Sequence, residues 1–243
     1  METFLDKIVS IAYIGNVKNK NSFLGFQMIE KINNYHNEPC VQDENCKRIL
    51  ERGSDKMFKD GFSRINMDEL ASELQMSKKT IYKYFESKKC LVEAVADNFT
   101  GNAAREIGKV IDSDKNAVLK IIGLLEFFSK IANVMTDVLV FDLQKKLPWL
   151  WKKIDEFRIK MMNRNLSIII NQGKEEGLIK DYSTEITVTM IIAAVRAVVN
   201  PEFLMNNNCS LETAFKTGFD IVFSGLLTEE GLKIYNNYKK EQE

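Results

Sequence analysis

The chain has 243 residues, 45% hydrophobic and 28% charged, and its 34 basic and 34 acidic side chains balance to a net charge of zero. That is ordinary globular usage, which excludes wholesale disorder. The longest apolar stretches, such as 186–199 with Thr187, Thr189 and Arg196 inside it, fall short of the ~20 residues that a bilayer span needs, so no membrane segment is expected.

The N-terminus begins Met-Glu-Thr, and its apolar run at 8–14 contains Ser10. A secretory signal has a basic start, a longer apolar core and a small-residue cleavage site, so a cytoplasmic protein is expected. Residues 1–45 place apolar clusters around Phe4 to Ile14 and Phe23 to Ile32 between Asn- and Lys-rich text. They read as an extension of one or two short helices or a loose arm, either free or touching DNA or a partner. Cys40, Cys46, Cys90 and Cys209 form no CxxC and have no histidines to complete a metal set, so reduced thiols and no metal are expected. The single histidine, His36, lies in this extension. With imidazole scarce and no GxSxG, GxGxxG, GxxxxGKS or HExxH spacing, no enzyme and no cofactor is expected.

Three prolines and twelve glycines leave little room for the turns of an all-β fold, and the apolar spacing agrees with an all-α chain. A helix over 47–60 puts Ile49, Leu50, Met57 and Phe58 on one side and stops at Gly61, a usual residue just past a helix end. Further helices are expected over 88 to about 110, 116 to about 134, 184 to about 200, and 211–227. The stripe Phe157, Met161, Ile168 predicts another, with Pro148 in its first turn and Gly177 at its end. Pro201 should terminate the helix before it.

Two short helices lie in the middle of the first expected domain, 46–92. Asn66 reads as an N-cap bonding the amide three residues on, with Glu69 reaching back in a capping box. Leu70, Ala71 and Leu74 face inward, Ala71 being small where a second helix crosses. After a short turn at Gln75-Met76, Ser77 starts the second helix, with Ile81 and Phe85 as its apolar face. Two helices so spaced form a helix-turn-helix, whose second helix lies in the major groove of duplex DNA. Its outward residues are Lys78, Lys79, Thr80, Tyr82, Lys83 and Tyr84. Lysines neutralise phosphates or donate to guanine, Thr80 can bond a base or touch a thymine methyl, and tyrosine hydroxyls suit phosphate oxygens. A solvated basic face would look the same from charge alone. Charge distribution favours DNA: residues 47–90 hold eleven Lys or Arg against seven Asp or Glu, a surplus of +4, leaving −4 on the remainder.

The text from Gly61-Phe62 through Asn66-Met67-Asp68-Glu69-Leu70-Ala71 to Ser77-Lys78-Lys79-Thr80-Ile81-Tyr82-Lys83-Tyr84-Phe85-Glu86-Ser87-Lys88 strongly resembles the head of the TetR family of transcriptional regulators. The resemblance implies that Lys79, Thr80 and Tyr82 face bases or flanking phosphates, and that Tyr84 and Lys88 grip the backbone. Two positions depart from the pattern. Asn66 stands where the family usually has Thr, and Gln75 where the turn usually has Gly, at a cost of roughly 1 kcal/mol if positive φ is kept.

For residues 93–243 the resemblance implies a helical effector-binding and dimerisation domain. Ala193, Ala194, Ala197 and Gly218, flanked by Phe219 and Val222, are small or apolar residues suited to close helix contact between subunits or to an internal core. Phe127, Phe128, Phe141, Trp149, Trp151, Phe157, Met161 and Met162 are bulky groups suited to a small-molecule pocket or, again, to core packing. The expectation is a homodimeric, DNA-binding regulator, a repressor relieved by a small molecule at a palindromic operator. The alternative is a helical partner-binding protein whose head no longer binds DNA.

Overall fold

A computed structural model describes residues 43–134, 137–199 and 201–242. Readings of residues 1–42, His36 and Cys40 among them, therefore lie outside the described residues. The chain divides into two compact units, one falling within Met1–Ala104 and Thr136–Ile154, the other within Arg105–Met135 and Asp155–Glu243. Among the described residues every regular element is helical, apart from one isolated bridge between Ile179 and Leu227. No described helix is long and apolar enough to cross a membrane.

In the first unit, α1 spans Glu44–Asp60, begins at an Asp43 N-cap and ends at Gly61 with φ 80°. Gly61 occupies left-handed backbone that disfavours a Cβ, as its place after the last turn requires. The face carrying Cys46, Ile49, Gly53, Met57 and Phe58 is buried. A single 3-10 turn, Phe62–Arg64, leads to α2 (Met67–Glu73) and α3 (Lys78–Tyr84). The long α4 (Lys88–Ile111) follows, and its Leu91, Val92 and Val95 are almost wholly buried. Phe58 meets Phe99 of α4 with ring centroids 5.2 Å apart. Cys46 is disulfide-bonded, so the expectation of reduced thiols fails there, whereas Cys90 and Cys209 are free.

The first unit also takes in α6 (Asp137–Lys146), a helix that the sequence pattern did not reveal. Its Asp142 is buried, accepting from Ser63 N at 3.1 Å, Ser63 Oγ at 3.2 Å and Lys146 Nζ at 2.7 Å. This one carboxylate fixes the turn that precedes α2.

The second unit is built on α5 (Ala117–Val134), the later part of α7 (Pro148–Glu175), α8 (Thr184–Val198), α9 (Pro201–Asn206), α10 (Leu211–Leu226) and α11 (Glu229–Gln242). Pro148 opens α7 as expected, whereas Pro201 both follows the end of α8 and starts α9. Ile121, Ile169, Ile170, Ile191, Phe223 and Leu227 form the centre of its core, each almost inaccessible. Phe215, Phe219 and Phe223 run through that core with successive ring centroids 4.4 and 5.0 Å apart. Gly177, at φ 70°, turns the chain after α7, and its carbonyl accepts from Thr228 Oγ1 at 2.9 Å. Gly231 lets α11 close on the same segment: a Cβ there would lie 2.3 Å from the Leu178 carbonyl oxygen.

Candidate nucleic-acid interface

The two short helices form as their sequence dictates, with one change of detail. Asn66 caps α2, but its side chain accepts from Asp68 N at 2.9 Å, one residue earlier than expected. Glu69 does not complete a capping box; its carboxylate lies 3.6 Å from Lys56 Nζ on α1. Leu70 and Ala71 are buried on the inner face of α2, and Ile81 and Phe85 hold α3 against the head core. Ser77 caps α3 by accepting from Thr80 N at 3.0 Å, and its hydroxyl lies 2.8 Å from that of Thr80. Between the helices Gln75 sits at φ 56°, so the left-handed turn is kept without the usual glycine.

Burial of Ile81 sets which residues of α3 reach outward. Lys78, Lys79, Tyr82 and Lys83 are exposed, Tyr82 at 44% of its surface, while Thr80 and Tyr84 are half-buried. Lys78 Nζ pairs with Asp68 Oδ2 at 2.6 Å across the outer edge. Lys88, at the start of α4, is half-buried beside the 3-10 turn: its Nζ lies 4.3 Å from the centre of the Phe62 ring and 3.4 Å from the Ser63 carbonyl oxygen. Burial lowers the Lys88 pKa, with the neighbouring Asp142 opposing that shift and Lys146 adding to it.

The sequence did not reveal how α1 holds the pair. Asp43 Oδ1 caps α1 by accepting from Asn45 N at 2.9 Å, while Oδ2 accepts from the Tyr84 hydroxyl at 2.6 Å. That hydroxyl lowers the Asp43 pKa, and the Asp43 carboxylate in turn raises that of Tyr84. Arg48 Nη2 donates to the Leu74 carbonyl at 3.1 Å, at the end of α2. Arg52 and Lys56 both reach Glu73, at 2.7 and 2.8 Å. The Ser/Thr/Asp/Asn preference for N-caps was the available signal for Asp43; contacts across the helices had none.

Among the bulky groups, Phe127 and Phe128 pack half-buried against the core of the second unit, 5.4 Å apart, and Phe128 lies 5.6 Å from Phe215. Met161 and Met162 pack on the same core, and Phe157 is half-buried in the same unit. Trp149 and Trp151 belong to the first unit, where Lys89 Nζ stands 4.9 Å from the centre of a Trp149 ring. The side chain of Phe141 lies outside the described residues. Ala194, Gly218, Val222 and Phe219 line an apolar cleft of about 40 Å³ between α8 and α10, in which Phe219 is turned into the core. Ala193 and Ala197 are exposed.

Residues 49–95 match the model of bacterial regulatory proteins of the tetR family. The chain is 26% identical over 185 residues to an uncharacterized HTH-type transcriptional regulator, YvaF, of Bacillus subtilis (strain 168), covering 76% of this chain and 96% of that protein. Residues 49–95 thus form a helix-turn-helix head of the TetR type, and the chain is similar over most of its length to an HTH-type transcriptional regulator. Solved structures share the fold. A transcriptional regulator from Cytophaga hutchinsonii aligns with TM-score 0.61 at 18% identity, over 76% of this chain and all of that one. The regulator FadR of Bacillus subtilis, in complex with stearoyl-CoA, aligns with TM-score 0.53 at 19% identity, over 74% of this chain and 98% of that one.

Proposed function

We propose that this protein is a homodimeric TetR-family repressor that binds a palindromic operator and is released by a small molecule. The observation that carries its DNA contact is the single outward face of α3, where Lys78, Lys79, Tyr82 and Lys83 are exposed while Ile81 anchors the helix. In this reading Lys79, Thr80 and Tyr82 meet bases or flanking phosphates, and Asn66, Lys78, Lys83 and Lys88 neutralise or bond the backbone.

Exposed apolar residues of the second unit support dimerisation. Ile186, Met190 and Ala193 recur on one face of α8 at helical spacing, with Ile186 63% and Met190 67% exposed, and Ile221 of α10 is 71% exposed. Together with Ala197 and the cleft lined by Ala194, Gly218 and Val222, they offer apolar surface that a second copy would bury. Two heads would then reach half-sites about one helical turn, ~34 Å, apart. The half-buried Phe127, Phe128, Phe157 and Met161 are suited to an apolar effector, and the stearoyl-CoA in complex with FadR carries an apolar acyl chain of that kind. We assign the protein no catalytic role, and place it in the cytoplasm with its DNA.

The test is enrichment from a pool of random 30-base-pair duplexes by the purified protein, followed by a screen of small molecules, acyl thioesters first, for release. A palindromic sequence should emerge, and one class of compound should release it. Recovery of no preferred sequence would refute the operator-binding reading and favour a partner-binding protein.

A further inference from the structure

The last residue of the recognition helix already uses its only hydroxyl proton in a hydrogen bond within the head. The Tyr84 hydroxyl donates to Asp43 Oδ2 at 2.6 Å. A tyrosine hydroxyl has one proton to donate, and a DNA phosphate at neutral pH only accepts. In this arrangement Tyr84 has nothing left for the backbone, although its position in the motif suggests such a grip. Asp43 divides its carboxylate between two tasks, Oδ1 on the α1 amides of Asn45 and Cys46 and Oδ2 on Tyr84. One side chain thus ties the start of α1 to the end of α3.

The tie matters because α3 has only seven residues. A helix of that length spans about 10 Å and has little stiffness of its own beyond its contacts. Its centre is fixed by buried Ile81, its beginning by the Ser77 cap and its end by buried Phe85 and the Asp43–Tyr84 bond. A swing of about 15° around Ile81 would move either end by about 1.4 Å. That exceeds the ~0.5 Å within which recognition groups need to be held.

We propose that Asp43 is a positioning residue for sequence readout: by pinning the Tyr84 hydroxyl it fixes the angle at which α3 presents Lys79, Thr80 and Tyr82 to base edges. Tyr84 acts through this pin and not through a phosphate. The inference rests on the operator-binding reading above, and deepens it.

A pin and a phosphate contact differ in what they do to discrimination. Loss of a phosphate contact weakens binding about uniformly across sequences, whereas misdirected base contacts weaken only the preferred one. The variants are Tyr84→Phe, which removes only the hydroxyl, and Asp43→Ser, which keeps an N-cap oxygen and loses the second carboxylate oxygen. The double variant completes the cycle. Each is titrated by fluorescence anisotropy with the duplex enriched by the unmodified protein and with a scrambled duplex of equal length. Helix content by circular dichroism confirms folding at the assay temperature.

The ratio of the two affinities should fall about tenfold in each single variant, with the double variant no worse than either, as expected of two residues in one interaction. A ratio that stays constant in Tyr84→Phe while both affinities fall would overturn the pin in favour of a phosphate contact. So would tighter binding by Asp43→Ser, which frees the hydroxyl and removes an acidic charge, and so would additive losses in the double variant. Failure of the unmodified protein to enrich any duplex would refute the operator-binding reading itself, a result distinct from all of these.

Discussion

Replacing Asp142 by asparagine keeps its volume but removes its charge where every neighbour donates. The carboxylate, 3% exposed, accepts from the Ser63 amide at 3.1 Å, the Ser63 hydroxyl at 3.2 Å and Lys146 at 2.7 Å. An amide has one acceptor oxygen, so its NH2 group must face at least one of these donors. Losing a hydrogen bond to a charged group costs about 1.5–3 kcal/mol, and Lys146, 46% exposed, recovers part of its share from water. The expected net loss is about 2 kcal/mol, or about 4–8 °C in melting temperature for a chain of this size. The pH dependence follows from the same contacts. Burial pushes the Asp142 pKa up, but bonds from Lys146 and Ser63 outweigh it and hold the group below its usual value. A depressed carboxylate contributes stability that is present above its unfolded pKa and is lost as pH falls through the folded one. Thermal melts of both proteins at pH 7, 5 and 3 should show the full gap at neutral pH and a closing gap in acid. A gap below about 0.5 kcal/mol at pH 7, or one that widens on acidification, would refute this view of the buried carboxylate.

Gly231→Ala places a Cβ 2.3 Å from a backbone oxygen that cannot rotate away, so α11 must shift; a loss of about 1–3 kcal/mol is expected in chemical denaturation, and an unchanged midpoint would contradict the close approach. Gln75→Gly should relieve a left-handed backbone costing about 1–2 kcal/mol while conceding about 0.5–1 kcal/mol of unfolded-chain entropy. A net gain of up to about 1 kcal/mol is expected, and a lowered melting temperature would contradict it. Met190→Glu combined with Ile221→Glu introduces charges on the exposed apolar surface of α8 and α10, and should convert a dimer to a monomer in analytical ultracentrifugation without loss of helix content. A dimer of unchanged affinity would place the subunit contact elsewhere.

The head was legible because its signals are local. Gly61 marks the end of α1, Ser77 caps α3, and Ile81 with Phe85 gives the inner face, all within a few residues of the elements they define. The Asn66 cap was legible to within one amide, since Asx side chains serve either of the next free donors. Asp43, Arg48 and Asp142 were not legible as parts of the site, because their partners Tyr84, Leu74 and Ser63 lie 26 to 79 residues away. Helix α6 escaped notice because DVLVFDLQKK is too short to show a clear period. In the second unit the sequence marked apolar helices but not which apolar residues stay outside. Phe219 went into the core and Ile186, Met190 and Ile221 remained exposed, a division set by neighbouring helices and not by local spacing.

Operator recognition by α3 is tested most directly by the salt dependence of binding to the enriched duplex. The logarithm of the association constant should fall linearly with the logarithm of salt concentration, with a slope of about −0.9 for each phosphate neutralised. Lys83→Gln, which removes an exposed cation from α3, should reduce that slope by about 0.9. A flat salt profile, or a slope unaltered in this variant and in Lys78→Gln and Lys79→Gln as well, would contradict the placement of α3 against DNA.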